Sequence, residues 1–167
     1  MMCDSVTRKN SALMGVVTGV LVVATSSLAL AGPKEEAMAA YDQFFKSFTA
    51  ANAEEVTSLF APEVQFYGTS TREVVTSIDP VRNYFVANFG TPPRAAGVDT
   101  ATQVGTATAL ALSDNAVLIS GLWQVDSVKD GKTTVRGPYR VTVAVSKRGD
   151  RWQIVQFHNS PQPAPPK

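Results

Sequence analysis

The sequence predicts an α+β domain in which three N-terminal helices pack on one face of a strongly curved antiparallel sheet. Between residues 33 and 90, apolar side chains recur three or four positions apart, which is the spacing of a helix with one buried face. From residue 100 onward apolar and polar side chains alternate, as they do in half-buried strands. Helices followed by a meander of long strands are typical of α+β domains.

Each of the three helices has its own sequence signals. Asn52 followed by Glu55 resembles a capping box and begins a short second helix. Asp79-Pro80 is predicted to begin the third helix, with the aspartate as N-cap, and Gly90 to end it. The first helix is predicted from a single apolar stripe, which consists of Ala37, Tyr41, Phe44, Phe45 and Phe48.

Five strands are predicted, separated by turn residues such as Asp130-Gly131. Gly105 and Gly121 lie inside strands, where glycine weakens pairing but permits sharp bending. The predicted strands are Glu63–Tyr67, Thr102–Leu112, Ala116–Val125, Thr133–Lys147 and Trp152–Ser160.

Residues 1–31 have the pattern of a signal peptide. Arg8 and Lys9 precede an apolar run, Ala12–Leu30, and Ala29-Leu30-Ala31 is a small-x-small cleavage site. An uncleaved membrane anchor is the alternative, because a run of this length could just span a bilayer. We expect export to the periplasm or the medium, and no contact with the membrane after cleavage.

The remaining chain is predicted to be one domain, residues 32–160, followed by a disordered proline-rich tail, residues 161–167. One hypothesis for this tail is that a partner protein recognises it. Without residues 1–31 the chain has equal numbers of acidic and basic side chains and no basic cluster, which argues against nucleic acid as a partner. With Cys3 removed and a single histidine left, we expect no disulfide, no metal and no cofactor.

The candidate functional residues are an ionisable pair near strand ends. His158 lies near the end of the last strand, where it could bind an anion or transfer a proton, or could simply form a structural hydrogen bond. Arg140 could bind a carboxylate or be a surface charge. The alternation in the last strand does not decide which of its faces is buried, because each face carries both apolar and polar side chains. Ile154 and His158 share one face, and Phe157 and Asn159 share the other.

Two segments resemble a known family. Val75–Asn88 is similar to the third-helix region of the association (hub) domain of calcium/calmodulin-dependent protein kinase II, in its Ile-Asp entry, its Arg, its Tyr-Phe pair and its final Asn. Gly149–Ser160 resembles the last hairpin of that domain. Arg140, at its spacing before His158, resembles the Arg of small bacterial SgcJ/EcaC-like proteins. The order of elements is that of the nuclear transport factor 2-like, or SnoaL-like, superfamily.

The resemblance implies a cystatin-like fold with a conical cavity, and subunits that assemble into a dimer or a larger ring. The kinase domain has Arg where Asn159 stands and another near Leu122, so a basic pocket for small carboxylates is incomplete here. Ketosteroid isomerases of the superfamily have an Asp base where Tyr67-Gly68 occurs, and its scytalone-type dehydratases need two histidines. The residues expected to line the cavity are Arg140, His158, Asn159, Trp123, Tyr67 and Tyr41, although each aromatic could be ordinary core.

These observations leave two main hypotheses. The first is an exported, oligomeric, non-catalytic SnoaL-like domain whose cavity binds a small molecule, which could be anionic. The second is a SnoaL-like isomerase, cyclase or hydrolase acting on an apolar ring compound, with His158 as its base and Arg140 or Tyr67 stabilising the oxyanion.

Overall fold

A computed structural model describes residues 31–92 and 98–166. It confirms the predicted fold class: helices cover one face of a curved, unclosed sheet of five strands in the order β1-β5-β4-β3-β2. β1 is parallel to β5, and the other neighbouring strands are antiparallel. The elements are α1 (Pro33–Thr49), α2 (Ala53–Ser58), β1 (Phe60–Tyr67), α3 (Ile78–Phe89), β2 (Val98–Ser113), β3 (Ala116–Lys129), β4 (Lys132–Arg148) and β5 (Arg151–Pro161).

The segments at the two chain ends are only partly covered by the structure. The signal-peptide prediction falls on residues outside the described part, apart from Ala31. None of the helices among the residues that are described is long and apolar enough to cross a bilayer. Beyond β5, the backbone N–H of Gln162 donates to the carbonyl of Pro138 at 3.0 Å, and residues 162–166 have no regular secondary structure.

The predicted helix ends are correct except at the start of α3. The side chain of Asn52 accepts a hydrogen bond from the backbone N–H of Glu55 at 3.0 Å, as a capping residue should. Gly90 follows α3 with a positive φ of 79°, which suits a residue without a side chain. Asp79 is not the N-cap of α3: the extended residue before the helix is Ser77, and Asp79 lies in the first turn, where it pairs with Arg82 at 2.8 Å.

One extra residue interrupts the pairing of β5 with β4. Val145 pairs with Ile154 and Ala144 pairs with Gln156, so that Val155 has no partner of its own. As a result Ile154 and Phe157 are both buried, although they are three positions apart. Strict alternation would have placed them on opposite faces.

Aromatic rings fill most of the space between the helices and the sheet. Phe44 of α1 lies at the centre and is 2% exposed. Its ring contacts those of Phe157, Phe85 and Trp123 with centroid distances of 5.1, 5.9 and 6.2 Å. Most of the volume that the fold could enclose is therefore occupied by the protein's own side chains.

A polar contact fastens the start of α1 to the β4–β5 hairpin. The carboxylate of Glu36 accepts a hydrogen bond from the indole of Trp152 at 2.6 Å and pairs with Lys147 at 2.8 Å. The Lys147 and Trp152 bonds lower the pKa of Glu36 below its ordinary value of 4.5. A lowered folded-state pKa contributes stability above the unfolded pKa, and this stability is lost as the pH falls through the folded-state value.

The Glu36→Gln variant should therefore melt at a lower temperature than the wild type at pH 7, and the difference should shrink as the pH falls below about 4.5. Thermal unfolding followed by circular dichroism at several pH values measures this difference. Glu35→Gln is the matched control, because Glu35 is exposed in the same turn. A gap between Glu36→Gln and wild type that stays constant with pH would contradict the argument.

A second prediction concerns Gly121 of β3, which lies next to the hydrogen bond between Tyr41 and Gln103. A Cβ at this position would lie 2.9 Å from both the Gln103 amide nitrogen and the Tyr41 hydroxyl. Since both atoms are held by hydrogen bonds, Gly121→Ala should lower the free energy of unfolding by about 1–3 kcal/mol. Chemical denaturation measures this, and Ser120→Ala, with a change of less than about 0.5 kcal/mol, is the control. A Gly121→Ala variant as stable as Ser120→Ala would show that the Tyr41 and Gln103 side chains can move aside without lowering the free energy of unfolding.

Candidate functional site

The six predicted site residues do not lie together. We call the helix-covered side of the sheet the inner face and the opposite side the outer face. Tyr41, Trp123 and Asn159 are buried on the inner side, with 1%, 4% and 6% exposure. The other three, Tyr67, Arg140 and His158, are exposed on the outer face. The unpaired Val155 explains the position of His158. In a regular strand His158 would lie on the same face as Ile154, four positions earlier, but the extra residue between them places His158 on the opposite face.

The three outer residues are neighbours on the sheet. Tyr67 pairs with His158 across β1 and β5, and their rings are 5.7 Å apart. Arg140 pairs with Ser160, and its guanidinium donates to the Ser160 hydroxyl at 3.3 Å. This group can contact a molecule on the outer face, but it does not reach the interior.

Tyr41 belongs to the polar contact beneath Gly121. Its hydroxyl donates to Oε1 of Gln103 at 2.8 Å, and Nε2 of Gln103 donates to the carbonyl of Leu122 at 2.6 Å. Burial raises the pKa of the Tyr41 hydroxyl well above its ordinary value of 10, so the group stays neutral. Tyr41 therefore holds α1 against β2 and β3, close to the place where the register of these two strands shifts between Val104 and Thr108.

The remaining two residues, Trp123 and Asn159, form part of a small cavity of about 40 Å³ at one end of the inner face. Trp123, Asn159, Phe48 and Val125 are its buried members. Its more exposed members come from α3, from the start of β4 and from the loop after β1, and they are Thr69, Tyr84, Asn88, Arg136 and Tyr139.

A hydrogen bond between Trp123 and Asn159 determines which polar group the buried end of this cavity can offer. The indole N–H of Trp123 donates to Oδ1 of Asn159 at 2.8 Å. An indole can only donate, so the amide oxygen must face Trp123 and the amide nitrogen must point the other way. Among the residues that the structure describes, this nitrogen has no hydrogen-bond partner, although Asn159 is only 6% exposed. Buried polar groups are rarely left unpaired.

Several other polar groups around the cavity are already paired. Arg136 donates to Asp99 at 2.7 Å, and the Thr69 and Tyr84 hydroxyls are 3.3 Å apart. The amide nitrogen of Asn88 donates to the carbonyl of Tyr84 at 2.9 Å. The lining contains no histidine, cysteine or carboxylate, so it can bind a molecule by hydrogen bonds but offers no group that titrates near neutral pH.

Sequence reasoning missed the other cavity residues. Asn88 and Tyr84 occur in the segment that carries the family resemblance, and Tyr139 continues the buried alternation of Val141 and Val143, so these three could have been found. Arg136 could not, because its inward position depends on the irregular pairing of β3 and β4 at Gly137-Pro138.

A larger open groove, about 540 Å³, lies between the α1–α2 turn and the end of α3. Its lining combines three alanines, Val86, Phe89 and Gly90 with the polar residues Asn52, Glu54 and Thr91. These three polar side chains are exposed; Asn52 already caps α2, and Glu54 pairs with Arg82 at 3.1 Å. We therefore regard the smaller cavity as the candidate site, because it contains a buried polar group that lacks a partner. No group of three or more potential metal ligands occurs within the described ranges.

Comparison with known structures shows the same fold at low sequence identity. A structure from Xanthomonas campestris that is named as a calcium/calmodulin-dependent protein kinase II association domain is 24% identical, with a TM-score of 0.65, over 77% of this chain and 87% of that one. The kinase II hub homology domain of Chlamydomonas reinhardtii is 17% identical, with a TM-score of 0.64, over 77% and 97%. An NTF2-like protein with a cystatin-like fold from Novosphingobium aromaticivorans is 13% identical, with a TM-score of 0.64, over 77% and 80%.

Sequence comparison decides the family. No curated protein matches the chain. The model of the SnoaL-like domain matches residues 37–165, from the first buried residue of α1 to the tail, which is most of the sequence. The protein is therefore a member of the SnoaL-like domain family.

Proposed function

We propose that the mature protein is an exported, non-catalytic SnoaL-like domain that assembles with copies of itself and binds a small molecule in the cavity beside Trp123 and Asn159. The observation that carries the proposal is the character of the outer face of the sheet. No helix or strand that the structure describes covers this face, yet its centre is poor in charge and rich in leucine.

The centre of the outer face can be defined by the strand register. We call it the outer patch. Leu118 and Leu122 of β3 alternate with the core residues Val117 and Ile119, and so face outward. Leu110, which is 58% exposed, pairs with Leu118. The outer patch consists of Thr108, Leu110, Leu118, Ser120, Leu122, Arg140, Thr142, Ala144, Gln156 and His158.

This composition differs from that of a sheet face exposed to water. Such a face normally carries many charged side chains, whereas the outer patch has no carboxylate and no lysine. Clusters of exposed apolar side chains mark interaction sites on soluble proteins. A twofold axis through the patch would place the leucines of two copies against each other, and short side chains such as Ser120 and Ala144 allow two sheets to approach closely.

The similar structures from Xanthomonas campestris and Chlamydomonas reinhardtii are named as association and hub domains. Those names describe assembly in those proteins. They support the choice of a second copy as the partner of the outer patch here, since the fold is shared.

The enzyme hypothesis gains no support from the geometry. His158, its expected base, lies on the outer face, whereas the cavity lies on the inner face. The cavity lining offers no acid–base pair. Binding without catalysis is the function that this lining fits best.

The assembly proposal predicts that the wild-type mature protein sediments as a dimer or larger species at micromolar concentration. Leu118→Glu should raise its dissociation constant about tenfold or more, because a twofold interface would bring two new carboxylates together. Analytical ultracentrifugation measures this. Val86→Glu is the matched control, since Val86 is 43% exposed on α3, away from the outer patch. A monomeric wild type at high micromolar concentration would end this proposal.

The export proposal has a separate test. Expression of the full sequence in a bacterium with a general secretion pathway should give a protein in the periplasm or medium whose first residue is Gly32. Intact mass and N-terminal sequencing measure this. Replacement of Ala29 and Ala31 by bulky residues should block cleavage, and a protein that keeps residues 1–31 without those changes would support the membrane-anchor alternative.

A further inference from the structure

We infer that the cavity beside Trp123 and Asn159 recognises the oxygen of an uncharged carbonyl group. This inference rests on the ligand-binding part of the proposed function and gives the ligand a chemical class. It does not depend on the assembly of the protein.

The first step is the direction of the Asn159 amide. An asparagine side chain normally offers both an acceptor and a donor, so a ligand could use either. Here the Trp123 indole donates to the oxygen at 2.8 Å, so the amide nitrogen is directed away from Trp123 and is the unpartnered group. A ligand that meets this nitrogen must therefore supply an acceptor.

The second step is charge. Arg136 is the charged residue in the cavity lining, and its guanidinium is bound to Asp99 at 2.7 Å, so the pair together contributes no net charge. A carboxylate that enters the cavity would lose its hydration, and the guanidinium that could compensate for this loss is already paired with Asp99. A ketone, ester or amide oxygen loses much less hydration and gains the same hydrogen bond. The cavity should therefore favour an uncharged acceptor over an anion.

The third step is shape. The volume of about 40 Å³ admits the carbonyl end of a molecule but not a ring system. Phe48, Trp123 and Tyr139 supply apolar surface around it, and the rings of Trp123 and Tyr139 are 5.5 Å apart. Small ketones meet both requirements, since their oxygen accepts and their methyl groups contact the aromatic walls.

Acetone and acetate form the matched pair of probes, because they have the same size and differ in charge. Titration of the ¹⁵N-labelled mature protein should shift the Trp123 indole and the Asn159 amide signals with acetone, at a dissociation constant at least about tenfold lower than with acetate. The Trp152 indole is an internal reference, because it is bound to Glu36 far from the cavity. Its signal should not move.

The Asn159→Asp variant tests the donor directly. As a carboxylate, Asp still accepts from Trp123 but presents a second acceptor to the cavity, so acetone binding should weaken about tenfold or more at pH 8. Protonation at lower pH gives an O–H donor in the same place, and acetone binding should then recover. Asn83→Asp, an exposed change on α3, is the control and should bind acetone like the wild type throughout. Asn159→Ala, which buries no charge, should lose acetone binding at every pH.

Three results would overturn the inference. Acetate that binds as tightly as acetone would show that the cavity selects anions, and would leave ligand binding itself intact. Acetone binding that survives in Asn159→Ala would show that Asn159 is not the recognising group. Absence of any shift with either probe would show that the cavity holds only water, while the sedimentation of the Leu118→Glu variant would still report on assembly independently.

Discussion

The unpaired Val155 of β5 is the constraint on which the arrangement of the candidate site depends. One residue of β5 has no partner in β4. Before this residue the even-numbered side chains face the core, and after it the odd-numbered ones do. Ile154 and Asn159 can then both face the helices, and His158 turns to the outer face. Without the bulge, a strand with Ile154 buried would point its histidine inward. The bulge thus replaces a titratable group by a neutral amide at the closed end of the cavity.

The fold could be predicted from sequence because its signals are local and agree with one another. Helical spacing in α1, the Asn52 cap and the alternation in β3 and β4 each identify an element without reference to the others. The start of α3 differs from the predicted one because Asp79-Pro80 is a valid helix start in isolation, whereas the helix begins at Ile78 after the extended Ser77.

The site was only half predictable, because it depends on pairing between strands that are distant in sequence. Trp123 and Asn159 are both candidates from the sequence, but their hydrogen bond is not predictable from it. The bond joins β3 to β5 across β4, and no local sequence pattern in either strand indicates it. Arg140 and His158 were recognised by residue type, which says nothing about the face on which a side chain lies. A bulge such as that at Val155 changes the face of every later residue, and no residue of β5 is diagnostic of it.

The buried Trp123–Asn159 pair also limits what the interior can do. An apolar residue in place of Asn159 would extend the aromatic core around Phe44, but it would leave the buried indole N–H of Trp123 without its acceptor. The oxygen of this amide accepts from Trp123, its nitrogen has no hydrogen-bond partner among the described residues, and the residue lines the cavity. A half-satisfied polar group destabilises the folded state unless a water or a ligand completes its hydrogen bonds. The Trp123 indole therefore accounts for the amide oxygen of Asn159, whereas the amide nitrogen needs an acceptor from a water or a ligand.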